Sequence, residues 1–326
     1  MATLDVIVSS PFPTDSLQGN SISARRIASR IAAPGLAVQA VHGYADQDAR
    51  ILVALHARRS LPAIRAFRAR YPLRPIILVA TGTDLYQDLP AGRPEPLEAM
   101  RLADAIVTYQ SASVQDVPGA YRHKVTTILK SVELPVPARL PPPPRTPITF
   151  TILAHLREAK DPFLPAAALA SLSSLPELRL EHFGTALDPD LRASAEAWMR
   201  REPRYHWSEQ RPRDEIAAII SSSHATINSG RSEGGSNAVG ESILLGTPVL
   251  ATAIPANIGF LGKNYAGFYR AGDIPALAAL LDACRRPDSP LLETLRSQLR
   301  ERASLFSASA ETAGWIALLD SLAARI

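Results

Sequence analysis

The sequence predicts an α/β fold of two doubly wound domains joined by a linker, and three observations predict it. Short β-branched runs alternate with helical stretches along the chain, and continuous apolar strands separated by helices mark parallel sheets covered on both faces. A proline-rich segment, Leu134–Pro147, interrupts the alternation near the middle. Of its 14 residues 7 are proline, so it fits neither a helix interior nor a sheet and makes a stiff spacer. The length, 326 residues, fits two domains of roughly 150 residues each.

In the first half, strands are predicted over Leu4–Ser9, Ile51–Leu55, Pro75–Ala80, Ala105–Tyr109 and Lys124–Leu129. Helices are predicted over Ser21–Ala32, where Ile22, Ile27 and Ile31 make an apolar stripe, and over Ser60–Arg70. After the linker, strands are expected at Ile148–Ala154, Leu178–Phe183, Arg204–Trp207, Ala225–Asn228 and Pro248–Ala251. The helices between them are Pro165–Leu172, Pro189–Arg201, Arg213–Ser221 and Asn237–Leu245, and the stretch from Ile274 onward is almost wholly helical. The expected division is residues 1–135, a linker at 136–147, residues 148–303, and a C-terminal helix at 304–326 that packs back on the first domain. Two such sheets make a cleft between their carboxyl ends, where ligands bind.

Composition excludes several classes. With 46% hydrophobic and 20% charged residues the chain is globular. Its single cysteine, Cys284, excludes a disulfide framework and multi-cysteine metal sites. No apolar run reaches the ~18 residues of a membrane span, and Met1–Asp5 has no basic segment of a secretion signal, so a cytoplasmic protein is expected. The net charge is +4, carried by 31 arginines and only 4 lysines that form no basic block; neither nucleic acid nor a membrane is expected as a partner.

The most informative segment is Ile227–Leu250. A strand ends near Asn228, a glycine-rich turn with Gly234 and Gly235 follows, and a helix opens at Ser236 or Asn237, either of which can cap it. Gly246 stops the helix and Pro248 begins the next strand. A glycine loop feeding a helix N-terminus favours an anion, typically phosphate. Asn237 and Glu241, four apart, share a helix face. A carboxylate one turn beyond a phosphate site can accept both hydroxyls of a ribose.

Glu233 and Glu241, with Gly234-Gly235 between and Gly246-Thr-Pro-Val after, resemble the Glu-x7-Glu signature of family-4-like GT-B glycosyltransferases. That fold is two Rossmann-like doubly wound domains with an interdomain cleft, and the resemblance covers nearly the whole chain. It implies that Glu233 faces the donor sugar and Glu241 holds the nucleotide ribose. It also implies a basic loop for the diphosphate in Leu153–Pro162. There Lys160 matches the family's lysine, Ala154-His155 stands where Gly-Arg is usual, and Arg157 is the substitute arginine or a solvated one. His155 is expected beside the donor.

Four segments, Leu55–Arg59, Ala80–Tyr86, His155–Pro162 and Pro255–Gly262, resemble the selenosugar synthases, GT-B relatives of selenoneine biosynthesis. This resemblance implies a UDP-sugar donor (UDP-N-acetylglucosamine or UDP-glucose) and a selenophosphate acceptor. Its implied partners are the enzymes that supply selenophosphate and consume the selenosugar. An anionic acceptor of this kind needs positive charge and N–H groups rather than a strong base. The candidates are Gly19-Asn20 opening the first helix, and His56, Arg58 and Arg59 past a strand end. Gly19-Asn20 is either an anion-binding turn or a plain cap. His56 meets the ligand or makes a structural hydrogen bond. Asp84 orients a basic residue or caps a helix. Arg231 reaches a phosphate or pairs with Glu233. No Asp-x-Asp metal motif is present, and neither a cofactor nor an obligatory divalent ion is expected. The competing readings are an ordinary glycosyltransferase with a hydroxyl acceptor, a nucleotide-sugar epimerase, and a non-catalytic UDP-sugar-binding protein.

Overall fold

The computed structural model describes residues 4–16, 18–32 and 35–323. Met1–Thr3 of the N-terminal segment and residues 324–326 of the predicted last helix lie outside the described residues. The chain forms two compact units. One comprises residues up to Ser131 with those from Ser307 on, and the other is Val132–Phe306. The proline-rich segment thus falls within the second.

In the first unit β1 (Leu4–Ser10), β2 (Val38–His42), β3 (Ala49–Leu55), β4 (Ile76–Val79), β5 (Ala105–Thr108) and β6 (Val125–Thr127) form one parallel sheet in the order β2-β1-β3-β4-β5-β6. Side chains alternate across a strand, and β1 divides accordingly. Ile7 joins a core with Leu52, Ile64, Phe67 and Met100, beneath α2 (Leu61–Arg70) and α3 (Pro94–Leu102). Val6 and Val8 join another with Ile27, Leu55 and Trp315, beneath α1 (Gly19–Ala32) and α11 (Ala308–Ala323). The stripe Trp315, Leu318, Leu319 and Leu322 has the helical spacing that buries one face.

A charged cluster fastens α11. Glu311 is buried, and its carboxylate accepts from Arg26 Nε at 3.2 Å, from the Ser131 N–H at 2.9 Å and from the Ser131 hydroxyl, with Arg30 Nε at 3.7 Å. A carboxylate in such a place is tolerated only when paired and hydrogen-bonded.

The second unit repeats the plan with β7 (Ile148–Leu153), β8 (Leu178–Phe183), β9 (Tyr205–Ser208), β10 (Ala225–Asn228), β11 (Val249–Thr252) and β12 (Phe268–Tyr269). The order is β12-β11-β10-β7-β8-β9, again parallel. Its helices are α4 (Leu164–Ala170), α5 (Pro189–Arg201), α6 (Ile216–Ser221), α7 (Asn237–Leu245), α8 (Pro255–Leu261), α9 (Ile274–Ala283) and α10 (Pro290–Arg300). In both sheets the first strand is flanked by strands from opposite winding directions. The topological switch points are β1/β3 and β7/β10, where doubly wound sheets hold ligands beyond their carboxyl ends. Sequence patterning did not find β2, β12, α3 or α8. β2 is an edge strand in which only Val41 is fully buried, and β12 is two residues long. Among the described residues no helix is long and apolar enough to cross a membrane.

The ends of β7 and β8 touch. A Cβ on Gly184 would stand 1.8 Å from the Ala154 carbonyl oxygen and 2.9 Å from the His155 nitrogen. Buried His182 holds the same carbonyl through Nε2 at 3.0 Å and accepts at Nδ1 from the Tyr205 hydroxyl at 3.1 Å. Burial pushes its pKa down to about 4, so it is a neutral structural residue. Because the clash is with backbone, Gly184→Ala should destabilise this unit by about 3 kcal/mol or more. Thermal unfolding measures it, and an unchanged melting temperature would show that the two loops can separate freely.

Candidate functional site

At the β7/β10 switch point two loops are zipped together. From the β7 side come His155, Arg157 and a short 3-10 turn, Glu158–Lys160; from the β10 side come Ser229–Ser236. The Arg231 N–H donates to the Ala159 carbonyl at 2.9 Å and Ser229 Oγ to the Lys160 carbonyl at 2.9 Å. Gly230 leaves room for the Glu233 side chain, since a Cβ there would lie 3.1 Å from Glu233 Oε1. Beneath them, Thr252 Oγ1 donates to the Gly230 carbonyl at 2.6 Å, and Asn257 Nδ2 donates to Asn228 Oδ1 at 3.1 Å and to the Thr252 carbonyl at 2.9 Å.

Lys160, Glu233 and Arg231 are held here in ion pairs, and His155 by a hydrogen bond. The Lys160 ammonium donates to buried Glu233, joining the two motifs that the sequence singled out. Arg231 pairs with Asp161 at 2.8 Å instead of Glu233, whose carboxylate is paired with Lys160; Asp161 has a left-handed backbone (φ 46°). Arg231 therefore belongs to the second unit's own loops. His155 accepts the Thr185 N–H at Nδ1, 3.1 Å away, which leaves Nε2 as its N–H. Burial first, then the charges of Arg157 and Lys160, hold its pKa below the ordinary histidine value. Arg157 is exposed at the edge of the loop.

The helix α7 starts as predicted. Ser236 takes the N-cap position with extended backbone, but its hydroxyl makes no capping hydrogen bond. The first-turn amides of α7 are thus not satisfied by that side chain, and they follow half-buried Gly234 and Gly235. Asn237 is exposed while Glu241, one turn on, is 3% exposed. Glu241 pairs with Arg213, a residue that sequence reasoning read only as part of a helix. Arg213 precedes α6, and nothing in the spacing Arg211-Pro-Arg213 separates it from Arg211, which pairs with Glu215 at 2.6 Å.

At the β1/β3 switch point of the first unit, Gly19 and Asn20 begin α1, as expected. The preceding loop is tied by serines, with Ser16 Oγ donating to Ser21 Oγ at 2.9 Å and Ser10 Oγ 3.1 Å from Ser21 Oγ. His56 directly follows β3 with φ 72°, a strained backbone for a residue other than glycine. Neighbouring β4 leads into a π-helical turn, Asp84–Asp88, and its two buried carboxylates hold the β3 loop. Asp84 Oδ1 lies 2.6 Å from His56 Nδ1, while Asp84 Oδ2 accepts the Thr81 N–H and hydroxyl, each at 2.8 Å. Burial raises the Asp84 pKa, but hydrogen bonds from His56 and from the Thr81 and Ala57 amides outweigh it and hold the carboxyl below its usual range. Asp84 thus orients a basic residue. Asp88 takes Arg58 Nε at 2.9 Å and Arg93 Nε at 3.2 Å, one on each oxygen. His56, Asp84 and Asp88 are close enough to hold a metal ion. The positive charge beside Asp88 is, however, already supplied by the two guanidiniums. Arg59 is exposed, stacked 4.9 Å over the Phe12 ring.

The predicted residues therefore form two groups. His155, Arg157, Lys160, Arg231, Glu233–Asn237 and Glu241 lie on the second unit, and Gly19, Asn20, His56, Arg58 and Asp84 on the first. Among solved structures, sucrose-phosphate synthase from Thermosynechococcus elongatus matches with a TM-score of 0.78 and 14% identity over 100% of both chains. Anabaena HepE, solved in complex with UDP and glucose, matches with a TM-score of 0.77 and 15% identity over 98% of this chain and 100% of that one. The chain has the GT-B fold. The lipopolysaccharide outer core galactosyltransferase WaaB shares this GT-B architecture with a TM-score of 0.72 and 12% identity, covering 97% and 99% of the two chains. Among curated proteins, glycosyltransferase 1 domain-containing protein 1 of Xenopus tropicalis is 31% identical over 109 residues. The match spans 33% of this chain and 32% of that protein, about a third of its length. No family model matches the chain.

Proposed function

We propose that this GT-B protein is a glycosyltransferase that takes a UDP-sugar as donor and selenophosphate as acceptor. One observation carries the donor half: Lys160–Glu233 and Glu241 stand together around the α7 N-terminus at the β7/β10 switch point. Lys160, the α7 amides and the His155 Nε2–H stabilise the departing diphosphate as its charge develops, with Arg157 at the edge of the loop. Glu241 accepts the ribose hydroxyls, and Glu233 faces the sugar. The UDP bound in HepE and the 109 residues matched to the Xenopus glycosyltransferase 1 domain-containing protein support this half. The acceptor half rests on the four sequence segments resembling selenosugar synthases and on His56, Arg58 and the α1 N-terminus, which suit a phosphoryl anion. Selenium attacks the anomeric carbon, the C–O bond to UDP breaks, and UDP leaves with the electron pair. Hydrolysis of the Se–P bond then gives the 1-selenosugar and inorganic phosphate. No divalent ion is needed in this scheme.

A hydroxyl acceptor is the second reading, favoured by one observation. A histidine whose Nδ1 lies 2.6 Å from a buried carboxylate, as His56 lies from Asp84, is an arrangement that can orient a general base. The deciding experiment is mass spectrometry of the protein with UDP-N-acetylglucosamine and selenophosphate, with chelator present. A selenium isotope pattern on a sugar mass, rising with UDP, supports the first reading. UDP release without selenium in a product favours the second, and an intact donor that still binds reduces the protein to a UDP-sugar-binding one. On the donor half alone, Glu241→Ala should weaken UDP binding by about 10-fold or more, the worth of a charged hydrogen bond. Titration calorimetry reads it, and unchanged affinity would remove Glu241 from the nucleotide site.

A further inference from the structure

We infer that Arg213 is a positioning residue of the donor site, fixing the Glu241 carboxylate so that the protein selects ribose over deoxyribose in its nucleotide; this rests on the UDP-sugar reading above. A carboxylate grips two neighbouring hydroxyls only if its plane is held, and a glutamate side chain on a helix turns about several bonds. Glu241 is 3% exposed, and its Oε1 accepts from Arg213 Nη1. The guanidinium is itself anchored, because Nη2 donates to the Glu133 carbonyl. The segment carrying that carbonyl is pressed onto α7. A Cβ on Gly240 would lie 2.9 Å from Val132 Cγ2, and the Val132 N–H donates to the Phe306 carbonyl at 3.1 Å. Main chain, arginine, carboxylate and helix thus form one closed linkage.

The pair differs from an ordinary surface salt bridge, which is worth little because both partners are solvated. Here the Arg213 side chain is half exposed and the Glu241 side chain 4% exposed. A carboxylate has about four lone-pair positions. Arg213 occupies one, so ribose and arginine bind the carboxylate together and do not compete for it.

The test is calorimetric binding of UDP and 2′-deoxy-UDP to the wild type and to Arg213→Ala, Arg213→Lys, Glu241→Gln and the Arg213→Ala/Glu241→Gln double variant. The wild type should prefer UDP by about 10-fold or more. Arg213→Ala should cut that preference to within about 3-fold with little change in melting temperature. Arg213→Lys should restore part of it, and Arg213→Ala should add nothing once Glu241 is glutamine. An Arg213→Ala protein that keeps the full preference overturns the inference while leaving the donor site standing; should that variant fold poorly, a full preference in Arg213→Lys together with additive effects in the double variant overturns it equally. A wild type that binds neither nucleotide overturns the UDP-sugar reading itself, and this inference with it.

Discussion

Replacing Lys160 with alanine should lower turnover by about 10²–10³-fold, the usual cost of removing one preorganised group from developing negative charge. The argument rests on where the ammonium is held. It is drawn from the β7 loop onto Glu233 of the β10 loop, beside the opening of α7, so it is in place before any diphosphate arrives. Because the charge to be stabilised grows as UDP leaves, the loss should fall mainly on kcat and less on KM. Lys160→Arg keeps the charge but spreads it over a plane, and should recover only part of the rate. Steady-state UDP release measures both variants. A Lys160→Ala enzyme with wild-type kcat would move the leaving group away from this loop.

The second large effect concerns stability. Glu311→Ala should destabilise the first unit by about 3–5 kcal/mol, the cost of breaking a buried ion pair from one side. It removes the acceptor of Arg26 and of the Ser131 N–H and hydroxyl, leaving a buried guanidinium without its carboxylate. Trp315, on the same helix and fully buried, reports the unfolding of this unit. The other two tryptophans, Trp198 and Trp207, lie in the second unit and can be made phenylalanine to isolate its signal. The midpoint of the Trp315 fluorescence transition in urea should fall. An unchanged midpoint would mean that α11 is held by its apolar stripe alone.

What was legible in the sequence followed from local rules. The helix Asn237–Leu245 was found at both ends, because a glycine loop opens it and Gly246-Thr-Pro248 closes it. Strands covered on both faces were found where their residues run apolar, as over 51–55 of β3 and in β4. The Lys160–Glu233 pair joins two motifs that sequence reasoning had singled out separately. Partners contributed by distant segments were not legible. Asp88 answers Arg58 from 30 residues away, Asp161 takes Arg231 across 70, and Arg213 reaches Glu241 across 28. Each such pair is made by strand order and loop docking. Periodicity reports which face of an element is apolar and says nothing of which loop tip will stand beside another.

The discontinuity of the first unit bears on its biosynthesis. A ribosome delivers β1 to β6 early, but Trp315, Leu318, Leu319 and Leu322 arrive only after all of Val132–Phe306 has been made. Until then Val8, Val53, Leu55 and Val79 lack that part of their cover, and a nascent chain in this state presents an apolar sheet face of the kind that chaperones bind. The later-made unit, continuous in sequence, can close its core first. The earlier half of the polypeptide is therefore the last to finish folding.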